Sequence, residues 1–219
     1  MTTGARRLAE IAGEAAHCTR CDLYRRATQT VFGEGPVPAV VMLVGEQPGD
    51  QEDKQGAPFV GPAGRVLDEA LEAAQVDRGA VYVTNAVKHF KWEARGKRRI
   101  HKRPNTTEIE ACSLWLTEEV AQVQPAVIVA MGATAVRAVL GKAQSITPLR
   151  GQVLDSVLGP PMVATVHPSS IVRIQERDDR RAALRGLVGD LRLAADVAAS
   201  TRPSGSAASA DRSARSRPV

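Results

Sequence analysis

The chain has 219 residues, 43% of them hydrophobic and 24% charged, a globular rather than a fibrous or low-complexity composition, and it is long enough to bury a sizeable core. A formal net charge of +5 points towards a polyanionic partner. No apolar run approaches the ~20 residues of a membrane span, and the charged start of the chain lacks the apolar centre of a secretory signal.

The expected location is therefore cytoplasmic, and there three cysteines suggest metal or cluster ligation rather than disulfides. Leu8, Ile11, Ala12 and Ala15 fall at helical spacing and predict a helix over residues 5–17, just ahead of Cys18. Residues 39–44 form a compact apolar run ending at Gly45, which reads as a buried strand. Gly61-Pro62-Ala63-Gly64 opens a helix reaching about residue 74, and residues 80–84 give the next strand. Residues 86–105 are basic and without periodicity. Thr107 and Glu110 are expected to form the capping box of a helix running to about residue 122. A third buried strand at 126–131 ends at Gly132 and precedes a helix at 134–140. Strands follow at 152–157 and 162–166, the second leading into His167-Pro168-Ser169-Ser170, and a last helix covers 180–198. From about Ser200 the composition turns to Ser, Ala, Arg and Pro, the pattern of a disordered basic tail. Residues 1–199 are then expected to be one domain, with a monomer as the default state.

Strands alternating with helices predict an α/β fold, a three-layer αβα arrangement around a mostly parallel sheet. In such sheets the ligand crevice lies beyond the carboxyl ends of the strands. The three unusual segments, 45–53, 85–103 and 167–170, all follow strands and should meet there.

Cys18 and Cys21 form a C-x2-C pair, a spacing shared by zinc sites, redox dithiols and iron–sulfur proteins. No strand precedes the pair, which argues against a thioredoxin-type dithiol. With Cys112 as a third ligand, His89 is the leading candidate for the fourth and His17 its rival; spacing does not choose between zinc and a cluster. The plainer alternative makes Cys112 a small buried hydrophobe and His89 a surface residue.

The segment Gly45-Glu46-Gln47-Pro48-Gly49-Asp50, the C-x2-C pair and His167-Pro168-Ser169 together resemble the iron–sulfur members of the uracil-DNA glycosylase superfamily. Lys97-Arg98-Arg99-Ile100-His101 and the Gln that follows Glu46 resemble its UdgX branch, whose members become covalently attached to their DNA. The resemblance spans roughly residues 8–198. It implies a uracil-DNA glycosylase-like fold, action on uracil-containing DNA (single-stranded or with the base flipped from a duplex), and a 4Fe–4S cluster held by Cys18, Cys21, His89 and Cys112. Ordinary iron–sulfur glycosylases have Cys where this chain has His89.

The resemblance also implies roles. A flipped base needs a platform, and Phe59 would stack on it. Asn85 would read uracil, since one amide offers an acceptor to N3–H and a donor to O4. His167 would donate to uracil O2 as charge develops on the leaving group. Gln47 and Asp50 would belong to the substrate site. His101 would capture the sugar cation as a nucleophile, with Glu46 orienting its ring and taking its proton. Lys97, Arg98, Arg99 and Lys102 would hold phosphates, and Ser169 and Ser170 would cap a short helix facing another phosphate. From residue type alone, Phe59 could equally plug the core, Asn85 cap a turn and His101 bind a phosphate. Glu52 and Asp53 are expected on the solvated surface. Two other activities fit the same sequence: an ordinary glycosylase that releases uracil and an abasic site, and a non-catalytic cluster- or zinc-stabilised DNA-binding module.

Overall fold

The computed structural model describes residues 2–201; the tail expected beyond the last helix lies outside the described residues. The chain forms α1 (Thr3–Ala15), β1 (Val41–Gly45), α2 (Asp50–Gln55), α3 (Pro62–Ala74) and β2 (Val81–Asn85). A hairpin follows, β3 (Trp92–Arg95) and β4 (Arg98–His101), then α4 (Thr106–Val123), β5 (Val127–Met131) and α5 (Ala133–Leu140). The chain then adds β6 (Val153–Leu154), β7 (Met162–Thr165), α6 (Pro168–Val172) and α7 (Arg177–Ser200). No helix among the described residues is long and apolar enough to cross a membrane.

The main sheet has the order β2-β1-β5-β7-β6, parallel throughout except for β6, which runs antiparallel to β7. Its central strands are buried on both faces, which is why they read as continuous apolar runs rather than alternating ones. Val41, Leu43, Val81, Val83, Val127 and Val129 point to one face, where Val66, Leu67 and Leu71 of α3 and Leu187 and Leu191 of α7 cover them. Met42, Val44, Tyr82, Ile128 and Ala130 point to the other, beneath Leu116 and Val120 of α4 and Val136 and Val139 of α5. The result is the expected three-layer αβα architecture.

Three local readings are corrected. Residues 86–105 contain the β3–β4 hairpin, with Arg95 paired to Arg98 across Gly96-Lys97 and Gly96 at φ +60°. A glycine at the first position of a two-residue turn is a hairpin signal, hidden here because both strands are short and polar. The α4 capping box is Asn105 with Glu108, not Thr107 with Glu110: Glu108 N–H donates to Asn105 Oδ1 (2.9 Å) and Asn105 N–H to Glu108 Oε2 (2.7 Å). α6 is capped by the side chain of His167 rather than by Ser169 or Ser170.

Candidate active site

The carboxyl ends of β1, β2, β5 and β7 open onto a cavity of about 910 Å³, near the top of the ~300–1,000 Å³ range of ligand sites. Its lining includes Glu46, Gln47, Phe59, Asn85, His101, His167, Ser169 and Ser170. Asp50 is not among the lining residues; its carboxylate is held by Arg99 Nε and Lys54 Nζ, each at 2.6 Å.

Among the described residues two side-chain polar atoms are sealed from solvent without a partner, Asn85 Oδ1 and His167 Nε2, and both residues line the cavity. Asn85 is the last residue of β2 and lines the cavity, and its oxygen is a free acceptor. Gly45, its register partner on β1, allows this: a side-chain carbon there would collide with Asn85 Oδ1 and the Phe59 ring. Phe59 is a buried non-glycine residue at φ +57°, a conformation that costs energy and tends to persist where a site requires it. Its ring stacks on His167, with centroids 5.9 Å apart and an interplanar angle of 27°.

The tautomer of His167 follows from its cap. Nδ1 accepts the backbone N–H of Ser169 at 3.1 Å, so in the neutral ring Nε2 carries the proton. Burial pushes the pKa of His167 down to about 4, against the opposing pull of Glu46. The ring is therefore neutral at pH 7 and carries an unpaired N–H donor on a residue that lines the cavity.

At the mouth, Glu46 Oε1 lies 3.2 Å from His101 Nε2, and Glu46 Oε2 accepts from Thr134 Oγ1 at 2.6 Å. Burial alone would raise the Glu46 pKa, but the bonds from His101 and Thr134 and the nearby imidazoles overcome it and hold the carboxyl below its ordinary value. His101, the last residue of β4, keeps 48% of its side chain exposed. It is thus both gripped and reachable.

The hairpin that carries His101 is pinned from two sides. Arg99 donates to Asp50 Oδ1 and Asp53 Oδ2, both at 2.6 Å, and its guanidinium lies over the rings of Phe90 and Trp92. Gln47 braces the base: its Oε1 accepts from Lys91 N–H, and its Nε2 donates to the carbonyls of Lys91 and Lys102. Lys97, Arg98 and Lys102 are exposed, and Lys102 pairs with Glu93 at 2.8 Å. Arg99, expected with these three to hold phosphates, is instead only 18% exposed and spans Asp50 and Asp53.

Glu52 and Asp53 are buried, contrary to the surface expectation. Glu52 accepts from the N–H groups of Gly49 and Gly61, joining the starts of α2 and α3. Asp53 accepts from Thr28 N–H, Thr28 Oγ1 and Arg99. Backbone donors and an arginine replace the lost hydration. Thr134 escaped the sequence reading because nothing in its local pattern marks it.

The soft donors gather in a lobe apart from the cavity. Cys18, Cys21 and Cys112 share one cluster with Ile11, Leu23 and Trp115. Cys18 Sγ accepts from Trp115 Nε1–H and Cys112 Sγ from Lys88 N–H, each at 3.2 Å. His89 is buried rather than on the surface; its Nε2 lies 3.0 Å from Thr30 Oγ1, and burial lowers its pKa, keeping a neutral ring. The donor types and the N–H···S bonds suit a soft metal centre. Among the described residues, however, no three His, Cys, Asp or Glu side chains converge tightly enough to hold an ion.

The family model described as the uracil DNA glycosylase superfamily matches residues 32–192. The type-4 uracil-DNA glycosylase of Thermotoga maritima is 37% identical over 182 residues, 82% of this chain and 91% of that protein. That of Pyrobaculum aerophilum is 33% identical over 164 residues, covering 72% and 80%. With the family match running from the segment before β1 into α7, and the Thermotoga maritima protein aligned along most of both chains, the chain belongs to the uracil DNA glycosylase superfamily.

Proposed function

We propose that the chain excises uracil from DNA and becomes covalently joined to the abasic sugar through His101, the UdgX type of reaction. The observation that carries this reading is the His101–Glu46 pair at the mouth of a cavity whose floor holds an unpaired acceptor and an unpaired donor.

The floor suits a uracil ring. Asn85 Oδ1 would accept N3–H, His167 Nε2–H would donate to O2, and Phe59 would lie against the ring face. Cytosine offers a bare N3 and an amino group, leaving the Asn85 amide facing like atoms. As the bond from C1′ to N1 breaks, its electron pair leaves with the base, and a neutral donor already in place lowers the cost of that charge. His101 then offers a ring nitrogen lone pair to C1′, and the ring proton passes to Glu46. The low pKa of Glu46 keeps it ionised to stabilise the sugar cation first. Exposed Lys97, Arg98 and Lys102 flank the strand as salt-sensitive phosphate contacts. Cys18, Cys21, His89 and Cys112 would hold a 4Fe–4S cluster. When bound, it would cross-link the N-terminal segment, the loop after β2 and α4, adding stability to the folded state.

The deciding experiment incubates the purified chain with a labelled uracil-containing oligonucleotide and a thymine control, followed by a denaturing gel. A uracil-dependent band that survives heat and detergent, with the attachment mapped to His101, is the expected result. Alkali-labile strand breaks without such a band would leave an ordinary turnover glycosylase. Neither signal would leave a DNA-binding module. Visible absorption and metal analysis of the same sample test the cluster, and stoichiometric zinc in a colourless protein would refute it.

A further inference from the structure

At about 910 Å³ the cavity is larger than a flipped base requires. Its lining also takes in Ile146, Thr147, Arg150, Ser169, Ser170 and Arg173. Because β6 is antiparallel to β7, with Val153 opposite Val163 and Leu154 opposite Met162, the residues just before β6 lie beside the carboxyl end of β7. Arg150 thereby sits on the same edge of the sheet as Asn85 and His167.

Arg150 is held there by several contacts. Its Nε and Nη2 reach Asp190 Oδ2 on α7 at 2.8 and 2.7 Å. The same oxygen accepts from Thr165 Oγ1 at 2.6 Å, and Asp190 is only 5% exposed. The guanidinium also lies against Gly186, one turn earlier on α7: a side-chain carbon there would come within 2.5 Å of Nη2 and 3.2 Å of Nη1. A buried carboxylate, a threonine and a glycine seat thus fix the arginine, while 28% of its side chain stays open and Nη1 has no hydrogen-bond partner among the described residues. Arg173, also in the lining, has no carboxylate within ion-pair range among the described residues. Arg150 and Arg173 thus set two cations against the one carboxylate of Asp190.

We propose that Arg150 is a preorganised phosphate-binding residue that takes one phosphodiester of the DNA strand next to the flipped nucleotide. The inference rests on the glycosylase reading and adds to it a contact outside the basic hairpin. A loop tether would need only the Asp190 bond. It would not need a free Nη1 on an arginine that lines the substrate cavity together with a second arginine. Holding the guanidinium in advance removes the rotamer entropy an arginine otherwise loses on gripping an anion.

The test uses the full chain and a single-stranded oligonucleotide carrying one 2′-fluorinated deoxyuridine, which resists glycosidic cleavage. Binding is followed by fluorescence anisotropy against salt, with each flanking phosphate replaced in turn by an uncharged methylphosphonate. One replacement should weaken binding roughly tenfold, the order expected for one charge-assisted hydrogen bond. In Arg150→Met that replacement should have no further effect, and the slope of log affinity against log salt should fall by about 0.7, one phosphate's share for a single strand. Gly186→Ala, which displaces the guanidinium while the arginine's charge remains and Thr165 still donates to Asp190, should reproduce the loss and serves if Arg150→Met fails to fold. Identical methylphosphonate profiles in the parent chain and these variants, with uracil still preferred over thymine, would overturn the phosphate site and leave the glycosylase reading intact. Loss of any uracil preference in the parent chain would overturn both.

Discussion

Glu46 Oε1 and His101 Nε2 meet at 3.2 Å although one residue follows a central strand of the main sheet and the other ends an outlying hairpin. Nothing local brings them together. Arg99 and Gln47 do so, by pinning the hairpin to α2 and to the loop after β1.

His101→Ser should therefore abolish the heat-stable adduct while uracil release persists, because the imidazole is not among the groups proposed to hold the base. Glu46→Gln should retain the ring contact yet slow adduct formation by about 10²–10⁴, the usual contribution of a positioned base. Single-turnover gels with a parallel assay of free uracil separate the two effects. A full-rate adduct in His101→Ser would assign the nucleophile elsewhere.

His167 provides a pH signature. Its folded pKa of about 4 lies below the ordinary 6.5 because burial disfavours the imidazolium. Between those values the unfolded chain binds more protons than the folded one, so stability falls as pH drops through that window. The loss from this residue between pH 7 and pH 5 should be about 2 kcal/mol. Denaturant unfolding at both pH values should show that extra loss in the parent chain and not in His167→Gln. The depressed carboxyl of Glu46 does not interfere, because its contribution is lost only as pH falls through a folded pKa already below 4.5. Equal pH sensitivity in parent and variant would mean that the imidazole is not sealed as described.

How much of this was legible in the sequence varies with the range of the interactions. The buried strands announced themselves because both faces are covered, so β1, β2 and β5 read as uninterrupted apolar runs. The convergence of Asn85, His167 and the segment after Gly45 followed from parallel topology. The hairpin did not read as strands, since its residues are exposed and its stability comes from Arg99 bonding to residues of a distant helix. Glu52 and Asp53 read as surface residues because a carboxylate looks solvated until its donors are known, and those donors come from Gly61, Thr28 and Arg99. Thr134 carries no pattern at all; only its bond to Glu46 identifies it.

Gly45→Ala tests the closeness of the base pocket. Its added methyl would meet Asn85 Oδ1 and the Phe59 ring at once, and neither can retreat easily: one ends a buried strand and the other stacks on His167. Activity on uracil should drop by at least about 10², the scale at which small misplacements of reacting groups act. Asn85→Asp should do similar harm for another reason, since a carboxylate cannot donate to O4. Initial rates on uracil-containing and cytosine-containing strands decide the matter. Retained discrimination in Asn85→Asp would mean the base is read by another residue.

Arg99→Lys should slow the adduct more than it weakens DNA binding. A lysine cannot span Asp50 and Asp53 together, nor lie flat over Phe90 and Trp92 as the planar guanidinium does. The hairpin would loosen and His101 would leave Glu46, while the positive charge facing the strand would remain. Affinity within about threefold of the parent, with an adduct rate reduced by about 10-fold or more, is the expected split. Equal losses in both would make Arg99 a phosphate contact instead.

Lys88 and Glu119 form an ion pair at 2.5 Å with side chains 1% and 0% exposed. Lys88 Nζ also donates to Thr84 Oγ1 and the Asn85 carbonyl, and Glu119 accepts from Tyr82, Thr84 and the Gly33 backbone. With its partner removed, the remaining charge would be buried and uncompensated, so Lys88→Met should destabilise the fold by about 3–5 kcal/mol. Lys88→Met with Glu119→Leu should recover much of that loss, because the carboxylate is no longer stranded. A double variant as unstable as the single one would show that the hydroxyl and carbonyl partners at the end of β2, rather than the charge pair, hold this part of the core.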